Sequence, residues 1–417
     1  MHVCIFFTSN ELRTERHSMS RPLFHSHPIV RRALADLEVP HGCVGVHGTL
    51  YDVQSFGHPG GALWMDLVSG TDATELFEMS HLNISLARRA LDRLPTKGTY
   101  QRPVQRDYTT YARLRAIVAN RAPDRDPPEE HEGACFQWIW GAIAAHLVLV
   151  ASRPFTYQWT GLCIVASLCN SVLGGYGHDA LHRLHPRALL LDWNGLSSYE
   201  WLLEHVVSHH PHVNTKHDHD ACSMEPIVRW NCPRWSNLVA YPLFSIGEIV
   251  VTIHGFVGHR CRWKAPPRAP AWLRLAPWMF VARVVLHLAF QGIAAGAATL
   301  AFTLCLASTY FSYLAHLSHA PGGDGSEACV VRHQLRHTAD IATDWPQLML
   351  FLDRQTMHHL FPTVPHARLD ATMRAALSRV LGPGSEGLVP RHDLPRVLHR
   401  RLARVPPRGK ELPPPIK

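Results

Sequence analysis

Imidazole is the most concentrated chemical resource of this chain. Three groups among its 31 histidines lie beside apolar runs: His178-Asp-Ala-Leu-His182, His205-Val-Val-Ser-His209-His210, and Gln355-Thr-Met-His358-His359. A neutral imidazole is the commonest protein ligand for a transition metal, and histidines four apart share one helical face. One such pair is ordinary. Three groups, each just outside an apolar block, point to a site that holds more than one metal ion. By ligand softness alone a nitrogen-rich site suits iron, copper or zinc. The Glu-x-x-His repeats of soluble carboxylate bundles are not evident. Asp179, Asp218 and Asp220 sit beside the groups and are expected to orient metal-bound imidazoles.

The elements that must position these side chains are long apolar helices. Apolar blocks cover 136–152, 157–176, 237–257 and 275–317, and a bilayer core of about 30 Å takes about 20 apolar residues in a helix. The first two blocks qualify as spans, with Arg153-Pro154-Phe155-Thr156 as the turn between them. The last is long enough for a hairpin that reverses near Gly292 and Gly296. Block 237–257 contains Glu248 and His254. If all three groups share one site, an even number of spans must separate the second from the third, so 237–257 is read as an in-plane or re-entrant helix. The expectation is an α-helical integral membrane domain with about four transmembrane helices plus in-plane helices. Both termini and the basic loop 258–274 (Arg260, Arg262, Lys264, Arg268, Arg274) then lie on the cytosolic side, as the positive-inside rule prefers.

Composition agrees. The chain has 41 Lys and Arg against 33 Asp and Glu, a formal +8, and no basic stretch is interleaved with aromatics in the manner of a nucleic-acid groove. Anionic lipid headgroups therefore fit the excess better than nucleic acid, and no nucleic-acid partner is expected. Ten cysteines without a Cys-x-x-Cys pair argue against a disulfide framework or zinc ribbon and suit a reducing compartment. The apolar patch Val3 to Phe7 is too short for a signal-peptide core. Along the chain the expected order is an extension at 1–25, a small soluble domain at 26–100 with a helical stretch at 84–94, and a Pro-broken linker at 101–134. A membrane domain at 135–385 and a basic, Pro-rich tail at 386–417 follow.

Over 135–366 the three groups resemble the histidine boxes of the integral-membrane fatty acid desaturases. The likeness extends to His209-His-Pro-His-Val-Asn214, Asp218-His-Asp220 and Glu225-Pro226. The run Gln355-Thr-Met-His-His-Leu-Phe-Pro362 resembles the third box of the front-end subgroup, in which Gln replaces the first histidine. This resemblance implies a di-iron centre that uses O2 and two electrons to remove two hydrogens from an unactivated acyl chain. Its implied ligands are His178, His182, His205, His209, His210, Gln355, His358 and His359, completed by His316 or His319. Leu317-Ser318-His319 is closer to the family's pattern. Segment 320–345, with His333 and His337, departs from it, and His185, His212, His217 and His219 are spare and expected as solvated loop histidines.

A separate motif explains how electrons arrive. His58-Pro-Gly-Gly61 is preceded by Leu50-Tyr51-Asp52-Val53 and Phe56, and followed by Gly70-Thr-Asp72-Ala73-Thr74, Phe77 and His81. The stretch resembles the haem-binding core of cytochrome b5, a small α+β fold, although 26–44 does not match that family's opening. The resemblance implies haem b held by His58 and His81, and bis-histidine ligation suits electron transfer rather than O2 chemistry. Residues 45–85 carry Asp52, Asp66, Asp72, Glu75 and Glu78 without Lys or Arg, an acidic face expected to steer a basic reductase. The linker is expected to let the haem domain swing over the metals.

Fusion of this domain to the boxes, together with Gln355, is the pattern of front-end desaturases, which place a cis double bond between an existing one and the carboxyl end. Implied partners are a fatty acyl substrate (acyl-CoA or acyl-lipid), an NAD(P)H-dependent cytochrome b5 reductase and membrane lipid, with the catalytic face on the cytosolic side of the endoplasmic reticulum. Sphingolipid long-chain-base desaturases and acyl or sphingolipid hydroxylases share much of this layout. A metal transporter is disfavoured, because the groups flank the spans instead of lining them.

Overall fold

A computed structural model describes residues 34–103, 105–121, 127–222, 269–319, 327–369, 371–382 and 391–393. The readings made for 1–25, 237–257, Glu225-Pro226, most of the basic loop and most of the tail 386–417 fall outside the described residues.

The N-terminal domain is a three-stranded antiparallel sheet with short helices. Strands β1 (Cys43–Val46), β2 (Thr49–Asp52) and β3 (Thr96–Thr99) lie in that order, with Val46 opposite Thr49 and Cys43 opposite Asp52. The two-residue turn between β1 and β2 has positive φ at both His47 and Gly48, the geometry that matches strand twist in tight hairpins. Helices α1 (Leu63–Val68), α2 (Thr74–Ser80) and α3 (Ile84–Leu91) follow, α3 being capped by the Asn83 side chain, which accepts from the Leu86 N–H. Leu34, Leu37, Val44, Val46, Leu63 and Leu67 form the core between sheet and helices.

Three of the five carboxylates of the expected acidic face are not on the surface, while Asp52 and Asp66 stay part-exposed. Asp72, Glu75 and Glu78 are buried. Arg102 binds Asp72 at 2.9 Å and Glu75 at 2.7 Å, while Glu78 receives Arg115 at 2.8 Å, Arg88 at 2.9 Å and His47 at 2.8 Å. A run without cations in sequence is neutralised by cations from outside it, so these three carboxylates do not steer a reductase.

The stretch 101–134 is not a free linker either. It holds α4 (Thr109–Arg121), with Tyr111, Leu114 and Val118 buried against Val330, Val331, Leu335 and Phe361. The break at Pro123 and Pro127-Pro128 falls after this helix, and packing, not local composition, decides the state of the residues before it.

Among the described residues, four helices are long and apolar enough to cross a membrane: Glu129–Ala151, Tyr157–Leu181, Ala271–Gln291 and Ile293–Ala315. They correspond to α5 (Glu129–Ala151), α6 (Tyr157–Leu181), α8 (Ala276–Gln291) and α9 (Ile293–Ser318), and α7 (Ser198–His212) lies between the two pairs in the chain. Glu129, Glu130 and Glu132 occupy the first turn of α5, where the helix dipole favours anions, and Thr156 caps α6 by accepting from the Trp159 N–H. The α8–α9 reversal falls at Gly292, whose φ of +77° a side chain would resist. Gly296 lies inside α9 instead, where a β-carbon would stand 2.5 Å from the His287 carbonyl oxygen.

The spans expose Phe136, Trp140, Leu147 and Ile164, a face suited to lipid. Internally they are tied by polar contacts. Asn170 Nδ2 donates to His146 Nε2 at 2.9 Å, Trp159 Nε1 to Thr299 Oγ1 at 3.2 Å, and the buried Arg283 to Thr303 Oγ1 at 3.3 Å. Such contacts hold membrane helices together where no hydrophobic driving force acts between them. Helix α6 is central and more deeply buried than the other three, and it is α6 that carries the first box.

Candidate functional site

His178 lies in the last turn of α6 and His182 caps its end, so the span itself delivers the first box. The second sits on α7. Ser197 accepts from the Glu200 N–H to start this helix, which runs Ser198–Trp201, turns π-helical over Leu202–His209 and closes at His210–His212. A π segment widens the turn and often marks a functional site; here it turns His205, His209 and His210 inward together. The third box is the short helix α11 (Gln355–Leu360), whose Thr356 N–H donates to the buried Asp340 carboxylate at 2.9 Å. Before it, Leu350 and Phe351 both have positive φ, a strained state for bulky residues. They press on α6 at Gly175, where a β-carbon would lie 3.1 Å from Leu350 Cα.

These elements converge on two clusters: His178, His182, His205, His210 and His358 in one, and His209, His319 and His359 in the other, all buried. Within the first, Nε2 of His178 is 2.8 Å from that of His205 and 3.2 Å from that of His358, and His210 is 3.0 Å from His205. In the second, His319 Nε2 lies 3.1 Å from both His209 Nε2 and His359 Nε2.

The outer nitrogens of the second cluster decide its chemistry. His209 Nδ1 faces the Asp218 carboxylate at 3.0 Å, His319 Nδ1 faces the Ala315 carbonyl at 2.8 Å, and His359 Nδ1 faces Gln334 Oε1 at 3.2 Å. Each partner only accepts, so each Nδ1 carries the proton and each Nε2 presents a lone pair. Three lone pairs that converge with no proton between them repel one another, and a cation relieves this. His205 Nδ1 is likewise 2.7 Å from Asp220. Burial, reinforced by neighbouring imidazoles, pushes His182, His205, His210, His358 and His359 well below the ordinary histidine range, which keeps them in the neutral form that binds metals. Burial also lowers His319, to about 4. For His209 burial is outweighed by the Asp218 charge and hydrogen bond, and its value rises.

The second cleft is in the N-terminal domain. The rings of His58 and His81 face each other with centroids 5.8 Å apart. A metal–imidazole bond is about 2 Å, so the two rings are close enough together that both could hold one iron. His81 Nδ1 donates to the Phe77 carbonyl at 2.8 Å, which fixes the angle of the ring. A β-carbon on Gly60 would stand 3.0 Å from the His58 ring, so glycine is needed for that ring to hold its place.

Residues 154–385, more than half of the chain, match the family model for fatty acid desaturase. The chain belongs to the fatty acid desaturase family. Residues 38–101 of this desaturase match the cytochrome b5-like haem/steroid binding domain. It is similar to an acyl-lipid (7-3)-desaturase of Rebecca salina, 26% identical over 80% of this chain and 83% of that one. Another acyl-lipid (7-3)-desaturase, from Diacronema lutheri, is 26% identical over 77% of this chain and 80% of its own length. An acyl-lipid (8-3)-desaturase of Mortierella alpina is 28% identical over 45% of this chain and 47% of its own.

Of the residues singled out in the sequence, His178, His182, His205, His209, His210, His319, His358 and His359 meet in the two clusters. Gln355 joins them with Nε2 3.3 Å from His319 Nε2 and a buried Oε1 that has no hydrogen-bond partner among the described residues. The His316 side chain lies outside what is described. Asp179 does not orient a box histidine as expected. Its carboxylate binds Arg183 at 3.0 Å and the His366 N–H at 2.9 Å, fastening the first box to the chain beyond the third. His212, His217 and His219 are buried, not solvated. His333, in the segment that departs from the family pattern, is also buried and donates to the Val213 carbonyl at 3.0 Å. Gln334, missed in the sequence, donates to the His210 carbonyl at 2.8 Å while orienting His359. Its one local signal is the amphipathic run Val330–His337, helix α10.

Proposed function

We propose that this enzyme is an O2-dependent front-end acyl desaturase, which forms a cis double bond between an existing one and the carboxyl end of a (poly)unsaturated acyl chain. The observation that carries the reading is the second cluster, three lone pairs aimed at one point with every outer nitrogen committed. His178, His182, His205, His210 and His358 would hold one iron; His209, His319 and His359, with Gln355 through its unpartnered Oε1, would hold the other. Bound iron supplies the oxidising power needed to take hydrogen from an unactivated methylene. The protein fixes the donors. Asp218, Asp220 and Gln334 lock imidazole tautomers and ring angles, and complete burial excludes water from a site whose oxidant must meet only the acyl chain.

His58 and His81 would hold haem b, fed by an NAD(P)H-dependent reductase, with the catalytic face and both termini on the cytosolic side of the endoplasmic reticulum. We place the haem domain at 26–100 and the desaturase domain at 135–385. The front-end assignment is supported by Gln355 and by relatives named as (7-3)- and (8-3)-desaturases; an acyl-lipid carrier is favoured over acyl-CoA by those same names. Expression in yeast fed with polyunsaturated precursors, followed by mass-spectrometric localisation of double bonds, tests this. The expected product has one new bond on the carboxyl side of an existing one. A hydroxylated chain without a new bond overturns the reading, and a desaturated long-chain base transfers it to sphingolipids.

A further inference from the structure

The helix that ends at His81 is bonded directly to the segment after the third box. Tyr111, fully buried in α4, donates its hydroxyl to the Leu360 carbonyl at 2.8 Å, and the Met79 carbonyl lies 3.4 Å from the same oxygen. Leu360 follows His359, and Met79 stands two residues before His81. The Tyr111 ring stacks on Phe361 with centroids 5.3 Å apart. Beside it Thr363 Oγ1 donates to the Ser80 carbonyl at 3.2 Å. The opposite wall of the haem cleft also rests on a box: a Gly61 β-carbon would lie 3.3 Å from Leu184, two residues after His182. One turn along α4, Arg115 donates to the Glu78 carbonyl and carboxylate, both at 2.8 Å. Separating such buried partners leaves a charge uncompensated, which is the wrong construction for a domain that swings.

We propose that Tyr111 is a positioning residue for electron delivery, holding the haem domain in one fixed pose from which electrons pass to the metals without domain movement. The proposal rests on the haem-fed desaturase reading. In each transfer ferrous haem iron is oxidised to ferric and the metal pair gains one electron. Two transfers, replenished by an external flavoprotein reductase, supply two electrons; with two protons and two hydrogens from the chain they convert O2 to two waters. The hydroxyl of Tyr111 ties the backbone next to one iron ligand to the backbone near the other, so its loss should slow transfer while leaving both cofactors in place.

The test uses the full-length enzyme, loaded with haem and iron in nanodiscs. A water-soluble carbodiimide joins the exposed ion pair Lys216–Asp36, which bridges the second-box loop and the N-terminal domain; mass spectrometry of the linked peptide verifies the pose, with Lys216→Gln as the unlinked control. Stopped-flow absorbance then follows reoxidation of reduced haem on mixing with O2 and acyl substrate. Linked enzyme is expected to reoxidise at the unlinked rate, and linked enzyme that stays reduced overturns the proposal. Tyr111→Phe keeps the ring stack and removes the hydroxyl. It is expected to slow reoxidation about fivefold, the worth of one neutral hydrogen bond, with haem spectrum and iron content held and the thermal midpoint lowered by no more than the loss of that one bond. An unchanged rate in that variant overturns the fixed-pose role while leaving desaturation intact; absent reoxidation in the parent enzyme overturns both.

Discussion

The haem cleft and the metal centre hold imidazoles in opposite ways. His58 and His81 come from one short stretch, stay part-exposed, and are set by a glycine turn and the end of α2. The eight histidines of the two clusters are spread from 178 to 359, all buried, and depend on orienting groups that are themselves distant, as Gln334 is from His359. An electron carrier needs a rigid pair with a reachable edge. A centre that manages O2 needs every lone pair fixed and water kept out. The contrast implies that the cleft can be disabled alone, whereas the metal centre fails as a set.

The sharpest test removes one ligand from each side. His210→Ala should abolish turnover and strip iron while haem absorbance stays unchanged, read by product analysis and iron per chain. Retained activity would remove His210 from the ligand set. His58→Ala is the mirror experiment, expected to erase the haem spectrum and reductase-driven turnover with iron content intact. Loss of iron in that variant would break the claim that the two centres assemble independently.

Smaller effects probe the seam between them. Glu78→Gln leaves Arg115 buried without its full partner and should cost about 3 kcal/mol, read as a lower unfolding midpoint for the haem domain. Burial alone would raise the Glu78 carboxyl, but hydrogen bonds from His47, Arg115 and Arg88 outweigh it and hold the group at about 2, against an ordinary 4.5. A depressed carboxyl contributes stability that is complete above its unfolded value and vanishes as pH falls toward its folded one. The seam should therefore loosen between about pH 4.5 and 2, a contribution of about 3 kcal/mol, and a seam whose midpoint is flat across that window would discount the Glu78 pair. Smallest is Asp218→Asn, which weakens the hold on His209 Nδ1 and should reduce metal affinity by about 10- to 100-fold, measured by competition with a chelator. Unchanged affinity would mean that packing alone orients His209.

How far the sequence could be read follows the same divide. The haem motif was legible because its ligands and glycines are neighbours, and the boxes were legible because each pair sits within one helix turn. The hairpin α8–α9 was visible in its apolar length. What stayed hidden depends on partners brought in by the fold. Asp72, Glu75 and Glu78 read as an exposed acidic face because Arg102 and Arg115 lie outside the run. The stretch 101–134 read as a linker because nothing local reveals that Tyr111 and Leu114 meet residues beyond 330. Nor does the sequence of α7 announce a π turn, which is stabilised by what its histidines meet across the site.

Adjacent residues serve opposite clusters twice over: His209 and His210 on α7, and His358 and His359 on α11. Each pair is joined by one peptide unit, whose Cα–Cα length is fixed at about 3.8 Å. The two clusters are thus joined by covalent bonds at two independent places, as rungs join the rails of a ladder. Thermal sliding of the membrane helices can tilt the rings, but it has little leverage on how far apart the two clusters stand.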